Sequence, residues 1–339
     1  VTDGGFGGRL VLAASDYRRD RARWLAARRS GLGASDTAAI LGLNPYRTAL
    51  DVWLDKTATG EPVEEGSEAT EAGHRLESTV ARWTVSRHPH LGKLIPTPGL
   101  LRHPDFHWML ATPDFGLAPR GRAGAQASAL LEVKTTSVRS YRRHWADGKP
   151  PALVQVQVQQ QMAVTGHSEA WVACFIGGDG GPGRLAEPVR IARSPEVIGR
   201  IIGYAGAWWL HHIVEGVRPE PVFADADKLA SLFPADDSLE PVTATPELDA
   251  QLAIIAEARA QIRNWEATEA RAKFAVETAL AGRTAIVSAS GDILATWKPQ
   301  TVRRLNQRRL AAEHPGLLEQ YKEAVTGRGA LRITTLEDS

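Results

Sequence analysis

The feature that most constrains this chain is a short apolar run that ends in charge. Ala129-Leu130-Leu131 leads directly into Glu132-Val133-Lys134. Alternation along a strand puts residues i and i+2 on one face. Glu132 and Lys134 therefore point together, and Val133 points to the other side. The apolar lead-in predicts a buried strand, and charged side chains seldom end such a strand without a partner. Trp108–Thr112 is a second strand candidate, separated from Ala129–Lys134 by a Gly/Ala/Arg loop over 116–128. That order predicts a β-hairpin with a long connection. If the two segments pair, Asp114 lies near Glu132. Neighbouring carboxylates repel, and burial worsens this. A hard divalent cation relieves it, and Mg²⁺ takes a few carboxylate oxygens while keeping several waters. Lys134 would orient or help deprotonate such a water, which suits metal-assisted phosphodiester hydrolysis. The same spacing also occurs on exposed sheets, so Ala129, Leu130 and Leu131 carry the functional reading.

Around this strand the pattern is mixed. Ser15–Arg29 reads as a helix capped by Ser15, broken by Gly31–Gly33. A short helix capped by Ser35 or Asp36 follows, through Leu41. Asn44-Pro45 marks a turn, and Leu50–Thr57 and Glu68–Ser86 read as helices, the second with Ala72, Leu76, Val80 and Trp83 on one face. His88–Pro98 reads as irregular. Ala152–Thr165 alternates at Val154, Val156 and Val158 like a strand, but its glutamines and Gly166 as a stop favour a helix. Ala170–Ile176 and Pro188–Ala192 read as paired strands across the Gly177–Gly183 turn, and Pro195–Glu215 reads as a helix. Residues 218–246 hold five prolines in 29 positions, which predicts a linker or wrapping segment between a domain at 1–217 and an accessory region at 247–339. That region reads as a long helix over 247–281, a hairpin of Thr284–Ser288 with Ile293–Trp297, a helix over Leu305–Val325 interrupted at Pro315, and a last strand at Arg332–Thr335.

Composition removes several classes. The 339 residues are 43% hydrophobic and 23% charged, an ordinary globular balance. One cysteine, Cys174, rules out an intramolecular disulfide and any cysteine-rich zinc or iron–sulfur site, and fits a reducing compartment. No apolar run reaches the length of a membrane span, and Leu10–Ala14 is too short for an export signal, so a cytoplasmic protein is expected. His88/His90, His103/His107 and His211/His212 lack a zinc ligand set. Forty basic and 39 acidic residues leave a net charge of +1, but the charge is clustered. Residues 18–29 hold six Arg against one Asp, 120–149 hold seven Lys/Arg against Glu132 and Asp147, and 298–309 hold five Lys/Arg. Such stretches either converge on a polyanion groove or form separate solvated faces.

Asp114, with Pro113 before it, and Glu132-Val133-Lys134 together resemble the PD-(D/E)xK nuclease core. Four further features are similar to the lambda-exonuclease and YqaJ viral recombinase branch. They are Trp24-x3-Arg28 with Gly33-Ala34-Ser35-Asp36, Ile40-Leu41-Gly42 and Asn44-Pro45-Tyr46; Gly73-x2-Leu76-Glu77; Gln157-Val158-Gln159 with Met162 and Val164-Thr165-Gly166; and the apolar strand before Gly177-Gly178. The resemblance covers 24–216 well and the rest loosely. It implies an α/β fold, a restriction-endonuclease-like core with a mixed central sheet flanked by helices, joined to an α-rich C-terminal region with a small hairpin. It also implies roles. Asp114 and Glu132, with the Val133 carbonyl, would ligate Mg²⁺ (Mn²⁺ substituting), and Glu77 would reach a second metal or its water. Lys134 would position the attacking water, and Gln157 would orient water or the scissile phosphate. Arg28, Ser35 and Thr112 would hold a 5′-phosphate. The implied activity is digestion of linear double-stranded DNA, 5′ to 3′, leaving 3′ single strands for recombination. The implied partners are a ring of identical subunits and a single-strand annealing protein. Val154 stands where the family often has Tyr, and the Asp114–Glu132 spacing is lengthened. An endonuclease of the same superfamily and a non-catalytic DNA-binding or annealing module are the alternatives.

Overall fold

The computed structural model describes residues 5–60, 68–121, 124–178, 183–234, 236, 238–298, 305–320 and 333. Arg122, Arg303, Arg304 and most of the expected last strand lie outside them. The chain divides into two compact units, Val1–Asp227 and Lys228–Ser339.

The first unit opens with strand β1 (Arg9–Ala13), then α1 (Ala14–Arg19) and α2 (Arg21–Arg28). The single helix expected over Ser15–Arg29 is broken at Asp20, which has extended backbone and accepts a hydrogen bond from Arg23 N at 2.9 Å. Asp competes for the backbone in this way and so favours caps over helix interiors. Ser15 lies inside α1 and caps nothing. Helix α3 (Ala34–Ile40) has Gly33 at its N-cap, not Ser35 or Asp36; Asp36 reaches back from the first turn to Gly33 N at 2.9 Å. Thr48 and Asp51 form a capping box at the start of α4 (Ala49–Thr57). Helix α5 follows (Glu68–Arg87).

The sheets correct two expectations. After α5 come β2 (Lys93–Pro96), β3 (Gly99–Arg102), β4 (Leu110–Ala111), β5 (Phe115–Ala118) and β6 (Ala129–Ser137). The stretch 88–98, expected to be irregular, supplies β2 and ends it at Pro96, a residue tolerated where a strand stops. The hairpin partner of β6 is β5, not Trp108–Thr112: Phe115 pairs with Leu131 and Leu117 with Ala129. Gly116 disguises β5, yet it is required there, since a Cβ would sit 2.5 Å from Ala127 Cβ and 2.8 Å from Phe6 Cζ. Leu110–Ala111 pairs with β3 in a separate antiparallel sheet, β1-β3-β4.

From β6 the chain runs through α6 (Val138–His144) and α7 (Ala152–Thr165) into β7 (Glu169–Gly177), which pairs with β6 in parallel. Strands β8 (Arg184–Leu185) and β9 (Val189–Ala192) then add antiparallel to β7, before α8 (Pro195–Trp208). Among the described residues the central sheet is thus mixed, ordered β2-β5-β6-β7-β8 with β9 also on β7. Its faces are covered differently. Leu130, Val172 and Ile176 pack with Val158 and Met162 of α7, whereas Leu131, Val133 and Ala173 pack with Val80, Ala81 and Val85 of α5. Helix α7 is therefore buried nearly all round, and Gly166, at φ +78°, ends it. The proline-rich segment returns to this unit at Asp225, which is fully buried and accepts from Thr48 Oγ1 at 2.7 Å.

The second unit contains α9 (Leu229–Leu232), the long helix α10 (Pro246–Leu280), a hairpin of β10 (Ala285–Val287) and β11 (Ile293–Thr296), then α11 (Gln307–Glu313) and α12 (Pro315–Gln320). Among the described residues, no helix is long and apolar enough to cross a membrane.

Candidate active site

Glu132 lies on β6, on the face covered by α7, and only 1% of it is exposed. A buried carboxylate needs several donors, and α7 supplies them one turn apart. Gln157 Nε2 donates to Glu132 Oε1 at 2.6 Å, and Gln161 Nε2 donates to Oε2 at 2.8 Å. Lys134, two residues along the strand and on the same face, closes the set: its Nζ lies 2.5 Å from Glu132 Oε1 and 3.0 Å from Gln157 Oε1. The other glutamines of α7 do structural work. Gln159 bonds Ala192 O and Ser194 N, and Gln160 donates to both Leu32 O and Leu110 O.

Asp114 immediately precedes β5. The β5–β6 ladder ends at the Phe115–Leu131 pair, so Val133 has no strand partner on that side. Its N–H donates to Asp114 Oδ2 at 2.8 Å. This bond fixes Asp114 beside Glu132. Asp114, Glu132, Val133, Lys134, Gln157 and, from α5, Glu77 line one cavity of about 320 Å³, together with Thr70, Gly73, His74 and Thr135. Burial, then Glu132 and Glu77, hold the Asp114 carboxyl well above the usual range, against the pull of Lys134 and the Val133 N–H. Burial lowers the Lys134 ammonium, but Glu132, Asp114 and Glu77 outweigh it and leave its pKa above the ordinary lysine value.

The donor chemistry fits a hard cation. Carboxyls from Glu77, Asp114 and Glu132 meet around one polar cavity whose nearest fixed positive charge is Lys134. The three line the same cavity without closing on one point: among the described residues, no group of three or more His, Cys, Asp or Glu side chains is placed to hold a metal ion. Asp114 and Glu132 supply the oxygen donors that a hard divalent cation takes, with water able to fill further positions in so polar a cavity.

A second polar cluster forms where α2, α3 and α4 meet. Asp36 is fully buried; it binds Arg28 Nη2 at 3.2 Å and Lys56 Nζ at 2.9 Å, and also contacts Arg47 Nη1. Burial raises its pKa, but Lys56, Arg28 and Arg47 overcome this and hold the carboxyl well below the usual range. Arg28 Nη2 also donates to Ser35 Oγ at 3.3 Å, and its guanidinium lies 4.8 Å from the Trp24 ring centre. Asp55 accepts from Arg47 at 2.9 Å and lies 4.0 Å from Arg29. Among the described residues, the ion pairs of Arg28, Arg29, Arg47 and Lys56 reach only Asp36 and Asp55. The structure brings Arg28 and Ser35 together. Thr112, half-buried between β4 and Asp114, hydrogen-bonds to neither.

Two parts of this arrangement escaped sequence reading. Gln161 was one of several competing glutamines, and only its i+4 spacing from Gln157 marked it. Arg47 and Lys56 carried no local signal; they matter because Asp36 is buried between them. Val154 is a core residue with 3% exposure.

Residues 23–168 match the family model of the YqaJ-like viral recombinase domain. The chain is 28% identical over 322 residues to the uncharacterised protein YqaJ of Bacillus subtilis, covering 93% of this chain and 95% of that one. Among solved structures, it is similar to an alkaline exonuclease, LHK-Exo, from Laribacter hongkongensis, at a TM-score of 0.46 and 21% identity over 57% of this chain and 93% of that one. A phage-related exonuclease from Haemophilus somnus matches at a TM-score of 0.38 and 14% identity over 55% of this chain and 96% of that one.

Proposed function

We propose, from the match of residues 23–168 to the YqaJ-like viral recombinase domain and from the site's geometry, that the chain is a divalent-metal-dependent deoxyribonuclease. It digests linear duplex DNA from the end, 5′ to 3′, and leaves 3′ single strands for recombination. The observation that carries this reading is the meeting of Asp114, Glu132 and Lys134 on one polar cavity, with Gln157 bridging the last two.

Asp114 and Glu132, with the Val133 carbonyl, would hold Mg²⁺ or Mn²⁺, and Glu77 would act across the cavity through water. When bound, the ion polarises the phosphodiester and lowers the pKa of a water ligand. The chain's own residues do the positioning. Lys134 offers N–H donors to the attacking water or a non-bridging oxygen. Gln157 keeps Lys134 and Glu132 in register, and Gln161 stops Glu132 from turning away. Arg28 and Ser35 form the 5′-phosphate pocket, with Thr112 its weaker member. A guanidinium suits bidentate phosphate contact, and the four cations there exceed the two carboxylates. Leu32 and Leu110, both held by Gln160, connect this pocket to the chain leading into Asp114. The ring of identical subunits, the annealing partner and action in the cytoplasm of a bacterial or phage-infected cell belong to the same proposal; light scattering that gives a monomer would remove the ring.

The test is digestion of linear duplex DNA labelled at one 5′ end, with closed circular DNA alongside, in Mg²⁺ and in EDTA. Metal-dependent loss of the linear form alone, faster with a 5′-phosphate than a 5′-hydroxyl, supports the reading. Cutting of the circle would establish an endonuclease instead, and binding without turnover would establish a non-catalytic module.

A further inference from the structure

A second cavity, of about 570 Å³, opens beside β1 and β3 and is lined by Arg9, Arg102, His103, Asp105 and His107. Arg9 and Arg102 are direct cross-strand partners. Side chains at such positions share a face, and like charges placed there are destabilising. Among the described residues, neither arginine has an ion pair. Arg102 Nη2 donates to Ser30 Oγ at 2.8 Å, while its Nε is buried with no hydrogen-bond partner. His103 adds a neutral donor. Its Nδ1 accepts from Asp105 N at 3.0 Å and from Phe106 N at 3.2 Å, so the ring proton sits on Nε2. Among the described residues that line it, Asp105 is the only carboxylate.

The location adds to the chemistry. Ser30, which Arg102 holds, is two residues from Arg28, so the cavity is tied by a hydrogen bond to the chain segment that carries the proposed 5′-phosphate pocket. A facing arginine pair with an unused donor is relieved by an anion lying between its members. We propose that this cavity binds backbone phosphates of a DNA strand, extending the strand path beyond the Arg28 pocket. The inference rests on the nuclease reading for the identity of the anion, but not for the existence of the site. Such contacts position a strand without reading its sequence.

The test is fluorescence anisotropy of a labelled single-stranded oligothymidine with the full chain in EDTA, as a function of salt. Arg9→Ala and Arg9→Glu are the variants, because the Arg9 side chain is exposed and, among the described residues, makes no ion pair. Arg200→Ala, on a surface helix, is the control. Each phosphate contact on a single strand adds about 0.7 to the slope of log affinity against log salt. Arg9→Ala should flatten the slope by about 0.7, roughly a fivefold relative loss between 1 M and 0.1 M salt. Arg9→Glu should lose more. Slopes matching wild type and Arg200→Ala would overturn the site. Hydrolysis in Mg²⁺ is read separately. Arg9-dependent binding in a chain that never hydrolyses DNA would leave the site standing and remove the nuclease reading. Hydrolysis with an unchanged Arg9 slope would do the reverse.

Discussion

Replacing Asp36 by Asn removes the charge that three cations share. The Asp36 side chain is fully buried and meets Arg28, Arg47 and Lys56, and also the Gly33 N–H. Asn keeps one acceptor oxygen but turns an amide N–H₂ toward cations. Lys56 is the sensitive partner because its side chain has 0% exposure. Leaving a buried ion without its counterion costs about 3–5 kcal/mol. Lys56 would retain Asp55 at 3.4 Å and the Arg28 carbonyl at 3.0 Å, which puts the expected loss near the lower end, about 3 kcal/mol. For a unit the size of Val1–Asp227 this corresponds to a drop of roughly 6–12 °C in Tm. Calorimetry and urea unfolding of the full chain measure it. The second half of a double-mutant cycle isolates the cause: Lys56→Met on the Asp36→Asn background should recover about 1 kcal/mol or more, since it removes the orphaned charge. A loss under about 1 kcal/mol in the single variant, or no recovery in the double, would refute the reasoning.

The same carboxylate makes a pH prediction. Its folded pKa lies below its unfolded value of about 3.9, so its contribution is complete above that pH and fades as pH falls through the folded pKa. Urea midpoints of wild type and Asp36→Asn should therefore converge below about pH 4, and a constant gap down to pH 2 would contradict this. Gln161→Met leaves a buried Glu132 oxygen without its donor, and loss of a carboxylate-orienting partner costs about 10–100-fold; kcat should fall while KM holds, and a pure KM effect would count against a positioning role. Arg28→Ala should weaken use of 5′-phosphorylated ends more than 5′-hydroxyl ends in paired digestions, and equal losses would argue against the pocket.

The parts of the fold that could be read from sequence are those with strong local signals. Ala129-Leu130-Leu131 announces β6, and period-two geometry alone puts Glu132 and Lys134 on one face. Helix α7 is legible through its terminal Gly166, although burial on nearly all sides erased its amphipathic pattern. Strand β5 stayed hidden because Gly116, a poor strand former, is needed for close packing against Phe6 and Ala127. Its concealment led to the wrong hairpin partner, yet Asp114 still lies beside Glu132, since the end of β5 delivers it to Val133 N. The kink at Asp20 is a choice between a side-chain cap and a continuous helix that propensity does not decide. The cluster around Asp36 depends on residues brought together from three helices and the loop before α4, which no local pattern reports. Glu77 and Gln157 were picked out by resemblance to a family; spacing alone leaves Gln157 one glutamine among several.

Hydrolysis at the Asp114–Glu132–Lys134 cavity requires the Glu132 charge. Single-turnover digestion of 5′-phosphorylated linear duplex in Mg²⁺, comparing wild type with Glu132→Gln at saturating enzyme, tests it directly. Glu132→Gln keeps the shape and the contact with Lys134 but removes the charge. Binding measured in EDTA should be retained while cleavage falls by a factor of about a thousand or more, as expected when a metal-dependent step loses several kcal/mol of stabilisation. Cleavage at the wild-type rate by a folded, DNA-bound Glu132→Gln variant would contradict the account.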